Sequence, residues 1–146
     1  MRHPVSLVTL AFLFLGAGLH GQDKPATDLD KLQGTWVPTS AVFDGTEAPA
    51  ELLKERLWVI TGSQLSELNK GRRESRGTLV LDPTKKPTAL DVTYNDGAAK
   101  GQMGRAIYKI EGDSLTVCMA LPGERPAEFA SKRGAGLALM VFKRAK

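Results

Sequence analysis

Ser114-Leu115-Thr116-Val117-Cys118-Met119-Ala120-Leu121 alternates in side-chain character at every step. Leu115, Val117, Met119 and Leu121 fall on one face, and Ser114, Thr116, Cys118 and Ala120 on the other. A period of two sends successive side chains to opposite sides of a pleated strand, so the stretch reads as a strand with an apolar face. Gly112-Asp113 turns into it, and the long connection Pro122–Ala135 leads away. The same punctuation, short apolar runs between Gly, Pro, Asn and Asp, holds from Gly34 onward. It predicts further strands at Thr35–Phe43, Arg56–Thr61, Gln64–Leu68, Arg76–Leu81, Ala89–Tyr94, Gly104–Ile110 and Gly136–Arg144. Asp44-Gly45, Gly62-Ser63, Lys70-Gly71 and Asn95-Asp96-Gly97 are the other joints, built from residues that supply the positive φ of tight hairpins. Asp28 to Gln33 allows one helical turn, and Ala50–Glu55, free of β-branched residues, reads as a short helix. Eight short strands in up-and-down order predict one all-β barrel, because closure removes exposed strand edges. A two-sheet sandwich is the alternative arrangement.

The rest of the chain bounds what such a domain can do. With 146 residues there is room for one domain. Met1-Arg2-His3 is a basic start, Val5–Leu15 is apolar, and Gly16–Gly21 leads to the polar switch Gln22-Asp23-Lys24. This is the pattern of a secretory signal peptide over 1–21, too short to span a bilayer, with cleavage after Gly21 or Gly18. It predicts a secreted or periplasmic protein. Residues 22–28 read as a disordered leader before a barrel domain over 29–144. His3 and His20, the only two histidines, leave with the signal. A chain without His cannot run a Ser-His-Asp or Cys-His mechanism or build the common His-ligated metal sites. The lone Cys118 cannot form an internal disulfide. No cofactor and no metal is therefore expected.

Leu32-Gln33-Gly34-Thr35-Trp36 looks like the Gly-x-Trp start of lipocalin-type barrels. There the Trp plugs the closed end beneath a basic residue of the last strand, a part that Lys143 or Arg144 could play. Strand alternation lets only one of that pair face inward. Further motifs follow in order: Leu81-Asp82-Pro83-Thr84-Lys85-Lys86-Pro87, Ala89-Leu90-Asp91, Ile107-Tyr108, Gly112 to Cys118, and Arg125-Pro126-Ala127-Glu128-Phe129. Together they resemble the uncharacterised Planctomycetes domain family of small secreted proteins, from about Leu29 to Arg144. The resemblance implies a lipocalin-like β-barrel and a bacterial source. That family has no established activity, so no functional residue is carried over.

No catalytic constellation stands out. Gly134-Ala135-Gly136 begins like a dinucleotide loop, but Leu139 replaces the third Gly and a strand follows where a helix is needed. Asp82 and Asp91 read as turn and strand-edge residues rather than a glycosidase pair. Lys70, Arg72, Arg73 and Arg76 concentrate between two predicted strands, diluted by Glu67 and Glu74. They read as a solvated hairpin protecting a sheet edge. Aromatic residues for stacking are few there, so nucleic acid is not an expected partner. The net charge of +4 adds little to that case. Cys118 reads as a buried small hydrophobe, and Arg125 with Phe129 as anchors of the loop before the last strand.

The function expected is an exported, non-catalytic barrel that binds a small apolar or amphipathic ligand. Tyr108, Arg125 and Phe129 are the candidate ligand or loop contacts, and Gly34, Trp36, Lys143 and Arg144 the candidate closure residues. The alternative is a filled barrel whose loops Asp44–Glu55, Asn95–Met103 and Pro122–Ala135 recognise an extracytoplasmic protein. A lumen of ~300 Å3 or more separates the two.

Overall fold

Lys70 (φ 52°) and Gly71 (φ 73°) both take left-handed backbone. Positive φ at both central positions makes the hairpin turn whose twist matches its strands. In the computed structural model, which describes residues 24–146, this turn joins β4 (Gln64–Asn69) to β5 (Arg72–Asp82). The other elements, in chain order, are α1 (Asp28–Leu32), β1 (Gly34–Phe43), β2 (Thr46–Glu47), α2 (Ala50–Leu53), β3 (Arg56–Thr61), β6 (Ala89–Tyr94), β7 (Met103–Glu111), β8 (Ser114–Ala120) and β9 (Leu137–Arg144). The proposed signal peptide over 1–21 and the start of the leader lie outside the described residues.

All pairings are antiparallel, in the order β2-β1-β3-β4-β5-β6-β7-β8-β9. Strand β9 then returns to pair with β1, from Trp36↔Arg144 to Phe43↔Ala138. Eight strands close into an up-and-down antiparallel barrel, and β2 only extends the end of β1. The sandwich is excluded by that closing seam. Strand β1 is shared unevenly. Gly34 to Trp36 pair with β3, whereas the remainder pairs with β9 and β2 alone. Beyond Trp36, β1 no longer pairs with β3, and α2, whose Leu53 is buried in the core, packs against β1.

Leu115, Val117 and Met119 point into the core with Trp36, Leu65 and Phe142. The opposite face of β8 is covered as well: Cys118 and Ala120 are buried outside the barrel core. The connection from Leu121 to Gly136 folds back over this outer wall, with the Cys118 Sγ donating to the Ala130 carbonyl at 3.4 Å.

Several boundaries differ from the sequence reading. Arg72 and Arg73 are strand residues of β5 rather than part of a connection before Arg76, since a two-residue turn suffices and β-pairing tolerates exposed charge. The helix ends at Leu53 instead of Glu55, and the connection after Asp44 contains the short strand β2. Asp28, placed both at the end of the leader and at the start of a helical turn to Gln33, opens α1 (Asp28–Leu32). Thr27 caps that helix through a capping box with Asp30, in which the Thr27 hydroxyl accepts from Asp30 N and Asp30 Oδ2 accepts from Thr27 N.

Candidate functional site

The two barrel ends are built differently. At the end where β1 begins, α1 lies across the opening and seals it. Trp36 is fully buried there, and its Nε1 donates to the Leu32 carbonyl at 2.8 Å. Arg144 faces inward beside it, with its guanidinium carbon 4.3 Å from the indole centroid. The same guanidinium donates to the Gln33 carbonyl (2.6 Å), the Lys31 carbonyl (2.5 Å) and Asp113 (3.3 Å). Lys143 points outward to the Ser114 hydroxyl at 2.6 Å. Gly34 takes φ 114°, and a Cβ there would meet Arg144 Nη1 at 3.4 Å. A side chain would be strained in that backbone, with the Arg144 guanidinium in ordinary contact beside it.

Tyr108 also belongs to this sealed end. Its hydroxyl donates to Asp28 Oδ2 at 2.6 Å, tying α1 to β7. Burial, with the Asp28 carboxylate beside it, holds the phenol well above its ordinary pKa. Arg125 and Phe129 lie on the outer wall instead. Arg125 donates to the carbonyls of Ala106 (2.7 Å) and Leu90 (3.2 Å) and pairs with Asp91 at 2.6 Å. Phe129 sits under the Lys109 ammonium, 5.2 Å from its ring centroid. Both anchor the 121–136 connection. None of Tyr108, Arg125 and Phe129 lines the cavity described next.

At the opposite end the barrel is open. A cavity of about 400 Å3 runs inward between Phe43, Leu68, Leu121 and Leu137 at the mouth and Trp58, Met119, Met140 and Phe142 further in. Trp58 and Phe142 pack with ring centroids 4.5 Å apart, tilted by 34°. Phe43 is 49% exposed and Leu121 36%, so the rim itself is greasy and wet. Unlike the sealed end, where α1 crosses the opening, this end is framed by the connections after β1, β4, β6 and β8.

Polar groups on the cavity wall are few. Glu67 accepts from the Tyr94 hydroxyl (Oε1, 3.0 Å) and from the Ser75 hydroxyl (Oε2, 2.6 Å). Burial first, and then the neighbouring Glu67 charge, push the Tyr94 phenol far above its ordinary pKa, so it stays a donor. Asp44 is committed elsewhere, accepting from the backbone N–H groups of Gly134 and Gly136. Arg56 stands half-exposed at the rim, 3.7 Å from Glu74. The Cys118 thiol lies on the other side of the wall, and burial raises its pKa, away from the reactive thiolate.

Sequence reasoning missed the cavity wall. Glu67 was noticed only as a charge diluting a basic run, and Tyr94 only as a strand end. The available signal was parity: Leu65 and Glu67 share a face, as do Val92 and Tyr94, and in each pair one member is a plain core residue.

No protein-family model and no curated protein sequence matches the chain. Among solved structures, a crystal structure of a mutant of the fluorescent protein UnaG is similar at a TM-score of 0.39 and 13% identity, covering 81% of this chain and 99% of that one.

Proposed function

We propose that the chain is an exported, non-catalytic barrel that holds one small apolar or amphipathic molecule in the cavity at its open end. The observation that carries this reading is the cavity itself. Its volume of about 400 Å3 falls in the ~300–1,000 Å3 range of small-molecule sites. At ~30 Å3 per molecule of liquid water it matches about 13 waters, so an occupant of about that many non-hydrogen atoms fits. Its wall is apolar with a few placed polar groups, the usual composition of such a site. A recognition module with a filled barrel would need this lumen packed with side chains, and it is not. The two carboxylates on the wall, Asp44 and Glu67, are both engaged by donors rather than facing each other as an acid–base pair. Export is supported by the Met1–Gly21 pattern alone.

The test is calorimetric titration of the purified chain with 1-decanol, checked by native mass spectrometry. One-to-one binding is expected, and Ala138→Trp, which fills the cavity wall, should abolish it while cooperative unfolding persists. Failure of decanol and of its charged ten-carbon counterparts alike to bind the folded wild type would overturn the reading. Export is checked by the N-terminus of protein recovered from its own host, expected at or near Gln22. An intact Met1 on cytoplasmic protein would refute it.

A further inference from the structure

We propose that Glu67 receives the head group of the bound molecule, and that this molecule is an amphipathic amine. The inference rests on the cavity reading above and assigns the chemistry of its occupant. Glu67 lies on the inner face of β4 directly opposite Trp58 of β3. It lines the cavity, and its two oxygens already accept from Tyr94 and Ser75. An ionised carboxylate only accepts, with about four lone-pair positions over its two oxygens. Two are taken by hydroxyl donors set in the wall, where Ser75 and Tyr94 are buried. The remaining ones are free for a donor arriving from the lumen.

Among the described residues no cation fills that role, since no Lys or Arg pairs with Glu67. Arg56 is the one basic residue on the cavity wall, and it sits at the rim beside Glu74. A partly buried carboxylate held by two neutral donors has no opposite charge beside it. An ammonium entering with its tail toward the apolar mouth supplies that charge. The aromatic pair Trp58 and Phe142 lines the same wall and adds the attraction of a ring face for a cation. A carboxylate head would meet a like charge instead. The Tyr94 phenol, held protonated by burial, keeps donating to Glu67 and does not compete for the amine.

The experiment compares three ten-carbon probes on the folded wild type at pH 7 and below their micelle concentrations: decylammonium, 1-decanol and decanoate. Decylammonium is expected to bind at least ~10-fold more tightly than either of the others, the scale of one hydrogen bond to a charged group. Glu67→Gln keeps the shape and an acceptor for Tyr94. It should cost the amine about 10-fold and leave decanol within about twofold. Decanoate binding as tightly as the amine, or Glu67→Gln leaving the amine unaffected, overturns the assignment. Decanol bound without amine preference removes this inference and leaves the cavity reading standing. Silence from all three probes removes both. The wild-type comparison decides the matter even if the variant fails to fold.

Discussion

Truncating Trp36 to Ala should unlock the sealed end of the barrel, and its cost can be set out term by term. The indole is fully buried, and large-to-small changes at such positions cost ~3–5 kcal/mol. Within that loss is the Nε1 bond to the Leu32 carbonyl, worth ~1 kcal/mol. Arg144→Ala removes a side chain that is 29% exposed and donates to two main-chain carbonyls and Asp113. We expect about 2–3 kcal/mol for it. The guanidinium over the ring at 4.3 Å is common to both changes and contributes ~0.5–2 kcal/mol. The double variant should therefore fall short of the summed single effects by that amount. Lys143→Ala, on an exposed side chain, should cost no more than ~0.5 kcal/mol and show no coupling to Trp36. Urea unfolding followed by circular dichroism measures all of these, with Trp36→Phe as a milder replacement if Ala leaves too little stability. Coupling to Lys143 in place of Arg144, or a Trp36→Ala cost under ~1 kcal/mol, would refute the account of the seal.

Arg125→Ala should free the 121–136 connection from the outer wall and cost ~2 kcal/mol, since it strips a donor from two carbonyls and the partner from Asp91. Decanol affinity measured alongside should stay within about twofold; a large loss would place Arg125 in the site after all. Tyr94 and Tyr108 both have folded pKa values raised above the ordinary ~10, so the folded state keeps protons that the unfolded state releases. Their contribution is complete below pH ~10 and is lost as pH rises beyond it, by ~1.4 kcal/mol per pH unit for each phenol. Urea unfolding between pH 9 and 11.5 should show the steeper fall in the wild type than in Tyr94→Phe or Tyr108→Phe. Equal slopes would show that the phenols ionise alike in both states.

How far the fold was legible depended on which face of a strand carried the signal. Ser114–Leu121 announced its inner face through Leu115, Val117 and Met119, and the hairpin pairs announced the turns; between them they imply an up-and-down course. The outer face was legible only in part: Cys118 reads as a buried small hydrophobe and is buried, whereas Ala120, buried as well, carries no signal of its own. Their burial comes from a connection that no local pattern ties to that wall, apart from Arg125 and Phe129 reading as anchors. The start of β5 was hidden for a related reason. Arg72 and Arg73 face solvent at the open end, where no apolar partner imposes alternation. Glu67 was the least visible of all. A charged residue at an inward position breaks the period-two rule, and such breaks read as surface until the register places them opposite a Trp.

The division between the two ends explains why one chain can hold both a stable seam and an unfilled lumen. Closure needs a first strand joined to a last, and the junction at Trp36 and Arg144 is cemented by side-chain bonds to the backbone of α1 and its flank. Those bonds do not depend on anything at the mouth. Strand β1 then parts from β3 after Trp36, so the far half of the barrel is held by β9 on one side and α2 on the other. An eight-stranded barrel has an interior that side chains can fill or that can hold one small ligand, and here the cavity lies at the end where β1 and β3 are unpaired. The unpaired stretch of β1 and β3 lacks ladder hydrogen bonds between them, so it is where an occupant should have most to stabilise. Ligand binding should therefore raise the unfolding midpoint in proportion to its affinity, as any ligand of the folded state does, and protect amide hydrogens of α2 and Arg56–Trp58 more than those beside Trp36. Uniform protection, or protection confined to the sealed end, would mean that the cavity and the unpaired stretch are not coupled.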